Sequence, residues 1–121
     1  MKTIDIVPVP KPRMTRSDKW KKRDCVVRYR AFCDELRLKL KELPEDLDIV
    51  FYLPMPNTWS IKKKKEMAGQ PHKQKPDIDN LLKAILDAML DDDSGIWKVK
   101  AEKRWARSGQ IVFKSGAQDG T

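Results

Sequence analysis

Residues 75–97 read KPDIDNLLKAILDAMLDDDSGIW. Ile78, Leu81, Leu82, Ile85, Leu86 and Met89 recur at three- and four-residue steps, so the stretch predicts a helix over 78–90 with one apolar stripe. Carboxylates stand at both ends of that stripe: Asp77 and Asp79 at its start, Asp91, Asp92 and Asp93 just past its finish. A helix of this kind buries its stripe only against a second layer, and the flanking sequence reads as strands.

Upstream, residues 47–53 (LDIVFYL) are apolar at both parities, as in a strand covered on both faces and central in its sheet. Downstream, residues 96–105 (IWKVKAEKRW) place Trp97, Val99, Ala101 and Trp105 on one face and Lys98, Lys100, Glu102 and Arg104 on the other, the alternation of a half-buried strand. Arg107, Ser108 and Gly109 supply a turn into QIVFK, which predicts a hairpin. At the start of the chain KTIDIV (2–7) is a short β-branched strand stopped by Pro8 and Pro10. Lys11 to Arg23 has no apolar period and reads as a loop. Asp24 is placed to cap a helix in which Cys25, Tyr29, Phe32, Cys33, Leu36, Leu40 and Leu43 recur until Pro44 ends the run. Residues 54–76, rich in Pro, Lys and Gly, form a long and mostly irregular connection, although SIKKKKEM has the composition for a helical turn. The tail SGAQDGT reads as frayed. The order β-α-β-α-β-β defines the α+β class: a two-layer sandwich with a mixed sheet and helices on one face, and a single domain over residues 1–121.

The formal net charge of +8 is unevenly spread. Residues 11–23 and 62–75 hold 13 of the 26 Lys and Arg side chains and 2 of the 18 Asp and Glu, leaving the rest of the chain at −3. A lysine run is ordinarily a solvated loop. Two such segments with Trp20 and Trp59 beside them favour a polyanion, because cations release counterions from phosphates and indoles stack on bases. Lys11, Arg13, Arg16, Lys62, Lys63, Lys64, Lys65, His72, Lys73 and Lys75 are the candidate DNA contacts, His72 through phosphate rather than metal. No run reaches the about eighteen apolar residues of a membrane span, and the start lacks the long apolar segment of a secretory signal, so the expected setting is soluble and cytoplasmic, away from membranes. Cys25 and Cys33 lie roughly 12 Å apart on one helix face, too far for a disulfide, and read as reduced core thiols.

The carboxylates need their own account. Asp77 follows Pro76 and precedes the helix, where capping alone explains it. Asp79 and Lys83 are four apart and pair on the helix surface; Asp87 extends that ladder and takes a structural role. Capping explains neither Asp79 nor the triple Asp, which sets like charges beside the negative end of the helix dipole. A hard divalent cation would compensate them, yet a straight helix separates 79 from 90 by roughly 16 Å, and spacing leaves open a metal site or a solvated acidic turn.

The run KPDIDNLLKAILDAML, then DDSGIWKVKAEKRW, resembles the RusA family of Holliday junction resolvases, whose signature is a K-P-D-x-D-N-x-x-K-A-x-x-D-A-[LM] helix, a D-D-[AS]-x-[VI] turn and a strand ending near K-R. VPVPKPRMTR and MPNTWSIKKKKEMAGQPHKQKPD are similar to family members as well. The resemblance implies that Asp77, Asp79 and Asp93 coordinate metal and that Lys83 is the catalytic lysine. It further implies a homodimeric endonuclease dependent on Mg²⁺, with Mn²⁺ a possible substitute, that makes paired nicks in four-way DNA junctions and is commonly encoded by phages and prophages. Family members usually have several residues between helix and acidic pair; here Asp91 follows Leu90 directly, and Gly95 stands where Gln is common, leaving Asp91 and Asp92 as alternatives to Asp93. A non-catalytic basic nucleic-acid-binding module is the competing reading. The P-D…[DE]-x-K nuclease pattern fits poorly, since no downstream strand carries the acid two before a lysine.

Overall fold

A computed structural model describes residues 1–13, 24–43 and 46–114. Along the chain run β1 (Lys2–Ile4), α1 (Asp24–Lys39), β2 (Asp46–Pro54), α2 (Ile61–Met67), α3 (Ile78–Met89), β3 (Lys98–Ala106) and β4 (Gln110–Phe113). The four strands form one sheet in the order β1-β4-β2-β3, parallel between β2 and β3 and antiparallel elsewhere. The fold is α+β with a mixed sheet, as the sequence predicts.

The apolar pattern of β2 explains its central place. Leu47, Ile49, Phe51 and Leu53 are buried on one face, in register with Ile111 and Phe113 of β4, and share a core with Tyr29, Phe32, Cys33 and Leu36 of α1 and Leu81, Ala84, Ile85 and Ala88 of α3. Val50 and Val112 pair on the opposite face. A chain of ion pairs lies on that side, with Glu102 meeting Arg104 at 2.7 Å and Lys114 at 3.8 Å, so that face carries charge rather than a helix layer. Small Ala84 and Ala88 let α3 approach α1 closely, and Arg37 Nε donates to Ala88 O at 2.7 Å, occupying one of the carbonyls that a helix end leaves unpaired. Cys33 is buried and Cys25 half-buried, both as free thiols, and burial raises the Cys33 pKa.

Four expectations are corrected. β1 stops at Ile4 rather than at residue 7. β3 and β4 are not a hairpin: each pairs with an opposite edge of β2, so the short link at 107–109 crosses over the end of β2. That crossing is tight, for a Cβ on Gly109 would lie 2.6 Å from Val7 Cα, and glycine is required there by close approach. The alternation in 96–105 marks a buried face only near its end: Trp105 is 5% exposed, whereas Trp97 is 70% exposed. Finally, the connection 54–76 is not mostly irregular. It contains α2, capped by Ser60 Oγ accepting from Lys63 N at 3.1 Å, and its residues 69–72 hydrogen-bond along the outer edge of β3 at Lys103 and Trp105. Arg16 and Trp20, Pro44, and the tail from residue 115 lie outside the described residues.

Candidate active site

The candidate residues are distributed along α3, and its two ends are built differently. At the front, Lys103 Nζ donates to Gln74 O at 2.6 Å and Pro76 O at 2.8 Å, anchoring the approach to the helix from β3. Asp77 occupies the N-cap position with extended backbone, yet its side chain makes no capping bond. Both carboxylate oxygens instead accept from Lys75 Nζ, at 3.0 and 3.1 Å, with the Asp77 side chain half exposed. The expectation that capping accounts for Asp77 is therefore corrected. Asp79 faces Lys83 at 3.8 Å, both well exposed, the spaced pairing predicted from the sequence and one that contributes little to stability.

At the rear, α3 ends in extended Leu90 and the chain turns through Asp91, Asp92 and Asp93, all exposed. Asp92 accepts from the backbone N and the hydroxyl of Ser94, both at 3.0 Å, and the backbone bond chiefly holds its pKa below the usual carboxylate range. Ile96 N donates to Asp93 O at 3.0 Å, leaving the Asp93 carboxylate outside that bond. Asp87 does not extend the Asp79–Lys83 ladder. It accepts from Tyr29 Oη and from Lys11 Nζ, the latter at 3.3 Å. The Tyr29 bond is the main cause lowering the Asp87 pKa, while burial, reinforced by Asp87, raises that of Tyr29. Lys11, Lys83, Asp87, Asp91, Asp92 and Asp93 line one solvent-open cleft.

Lys83 is thus common to both ends: it pairs with Asp79 and lines the cleft that holds Asp93. Asp77 and Asp79 do not line that cleft, and among the described residues no group of three or more His, Cys, Asp or Glu stands close enough to hold a metal ion. One chain taken alone does not gather Asp77, Asp79 and Asp93 into a three-carboxylate site.

The basic surface is partly as expected. Lys62, Lys63 and Lys65 are exposed on α2, Lys64 is half-buried there, and Lys73 and Lys75 are exposed on the following loop. Lys63 Nζ sits 4.4 Å from the Trp59 ring centre, Trp59 packs on Trp105 at 4.7 Å, and His72 packs on Trp105 at 4.1 Å. His72 is only 6% exposed, and burial, then the Lys103 charge, lowers its pKa, so it is a neutral packing residue and not the phosphate contact predicted from its neighbours. Sequence reading also passed over Tyr29 and Lys103. Tyr29 sits in an apolar stripe and reads as core; the signal that its hydroxyl needs a buried partner lies in its residue type.

The family model described as Endodeoxyribonuclease RusA matches residues 4–114, nearly the whole chain. The chain belongs to the RusA family, and that membership implies Holliday junction endonuclease activity. No curated protein and no solved structure gives a match. No helix among the described residues is long and apolar enough to cross a membrane.

Proposed function

We propose that the protein resolves four-way DNA junctions by paired nicks in symmetry-related strands, as a homodimer that depends on Mg²⁺ or, in its place, Mn²⁺. The observation that carries this reading is the state of Asp77: it holds a capping position without capping and leaves a half-exposed carboxylate two residues from Asp79. Asp77, Asp79 and Asp93 are the proposed metal ligands, hard oxygen donors of the type such ions take. Bound there, the ion would supply a hydroxide at neutral pH and counter-charge for the reacting phosphate. Because one chain does not gather the three carboxylates, the third is taken to come from a second copy, whose presence also gives the two sites that paired nicks need.

Lys83 has the simplest role among the chain's own groups. Its ammonium, exposed on α3 between the acidic ends, neutralises a non-bridging phosphate oxygen or the leaving oxygen as charge develops. The lysines of α2 and Lys73 and Lys75 hold the phosphate backbone by charge alone. A bacterial or phage-encoded protein working in the cytoplasm is the setting this reading implies. The lack of a three-carboxylate cluster among the described residues of one chain is what favours the alternative, a binding module without catalysis.

The deciding experiment incubates the protein with a synthetic four-way junction, a flap and a linear duplex, with Mg²⁺ and with chelator. Mg²⁺-dependent nicking confined to the junction is expected. The Asp79→Asn variant should retain the gel shift and lose nicking by on the order of a hundredfold, the scale of removing one charge-stabilising group. Junction binding without cleavage by the unaltered protein would leave only the binding module.

A further inference from the structure

We infer that Lys11 is a second phosphate-contacting cation of this site, fixed in place by Asp87 and Tyr29 acting as positioning residues; the inference rests on the endonuclease reading above. The arm before α1 is attached to α3 at two points by this one residue. Its backbone N donates to Asn80 O at 3.0 Å, beside Asp79, and its ammonium meets Asp87 at 3.3 Å, one turn before the acidic run. Lys11 therefore runs along α3 from one acidic end toward the other, and its side chain opens into the cleft shared with Lys83 and Asp91 to Asp93.

An ion pair between side chains 35% and 46% exposed would by itself leave the ammonium free to wander. Here the carboxylate is not free. Tyr29, 3% exposed within the core, donates its hydroxyl to Asp87, so a group set by core packing of α1 orients the anion and the anion orients the cation. Placing a phosphate-binding group within a fraction of an ångström requires a chain of support of this kind, in which each member is held by another. Two lysines on one cleft, one from α3 and one from the arm, would contact different oxygens of a phosphodiester, which a single flexible ammonium does not do. The arm lysine thus differs in kind from the α2 lysines, whose side chains are largely exposed and whose exchange should affect binding more than turnover.

The test measures single-turnover nicking of a four-way junction at saturating protein, with junction affinity by gel shift and thermal midpoint measured alongside. Lys11→Met is expected to slow nicking about tenfold with less than about a threefold change in affinity, and Lys11→Arg to recover part of the rate, since a guanidinium restores the charge with different geometry. Tyr29→Phe is expected to slow nicking by a smaller factor, and Tyr29→Phe combined with Lys11→Met to be no slower than Lys11→Met alone. Nicking by Lys11→Met at the unaltered rate, or multiplicative losses in the double variant, overturns the inference while leaving the endonuclease reading intact. Failure of the unaltered protein to cut any junction removes that reading and the Lys11 assignment with it.

Discussion

The two ends of α3 carry the same residue type to opposite effect. At the rear, Asp87 is engaged by Tyr29 and Lys11 and its acidity is strengthened by the tyrosine, while Asp92 closes a local turn on Ser94. At the front, the carboxylates of Asp77 and Asp79 meet exposed lysines two and four residues away, and neither carboxylate accepts from a backbone N–H of the helix. A carboxylate with fixed partners builds structure; one left to exposed, weakly held lysines keeps its oxygens available for a ligand. Asp93 resembles the front pair more than Asp87 and Asp92 do, since its backbone oxygen closes the turn and its carboxylate does not.

The largest effect expected from this contrast comes from mixing two inactive proteins. If the front carboxylates of one copy work with Asp93 of another, Asp79→Asn and Asp93→Asn chains are each inactive. A mixed dimer then assembles one intact site from the unaltered halves. Refolding them together should restore nicking to about a quarter of the unaltered level, half the dimers being mixed and half their sites intact. No recovery at any mixing ratio would mean that each chain completes its own site, with the 91–97 turn moving to do so.

A smaller effect tests which end faces the DNA. α2 and the 69–75 segment lead directly to the front of α3, so neutralising Lys62 to Lys65 with glutamine should weaken junction binding and flatten its salt dependence. Lys63 is held over Trp59 and consecutive helical positions diverge, so not all four lysines reach one duplex. The slope of log affinity against log salt should fall by about two. An unchanged slope would show that α2 faces away from DNA.

How far the sequence disclosed this arrangement depended on how local each signal was. The apolar stripes of α1 and α3 and the two-sided run of β2 report burial within one element, and the core formed where they pointed. The sequence does not disclose how β3 and β4 pair, because a turn and two strands look the same whether the strands join each other or flank a third; β2 has both edges to fill, which no turn residue announces. The apolar alternation around Trp97 misleads for a related reason, since Trp97 lies just before β3 begins at Lys98 and stays exposed, whereas Trp105 near the strand's other end is buried. The motif placed the acidic residues on α3, but the partners of Asp87 came from 58 and 76 residues away, a separation that helical spacing cannot register. The lysines around His72 suggest a phosphate contact, whereas Trp105, distant in sequence, decides its environment.

The smallest effect is the most pointed test of the front end. A working aspartate cap contributes about 1 kcal/mol, and its replacement by alanine is normally felt by that amount. Asp77 stands at the cap position with the right backbone, but its carboxylate is turned to Lys75, and Lys75 is itself largely exposed. Such a pair contributes about 0.5 kcal/mol or less. Asp77→Ala should therefore shift the urea midpoint hardly at all, a loss under about 0.5 kcal/mol, while its effect on nicking should match that of Asp79→Asn. A full capping loss in the denaturation curve would mean that in solution the carboxylate turns back onto α3. Asp77 would then belong with the structural aspartates of the rear, and Asp79 would be the only carboxylate at the front free to take a ligand.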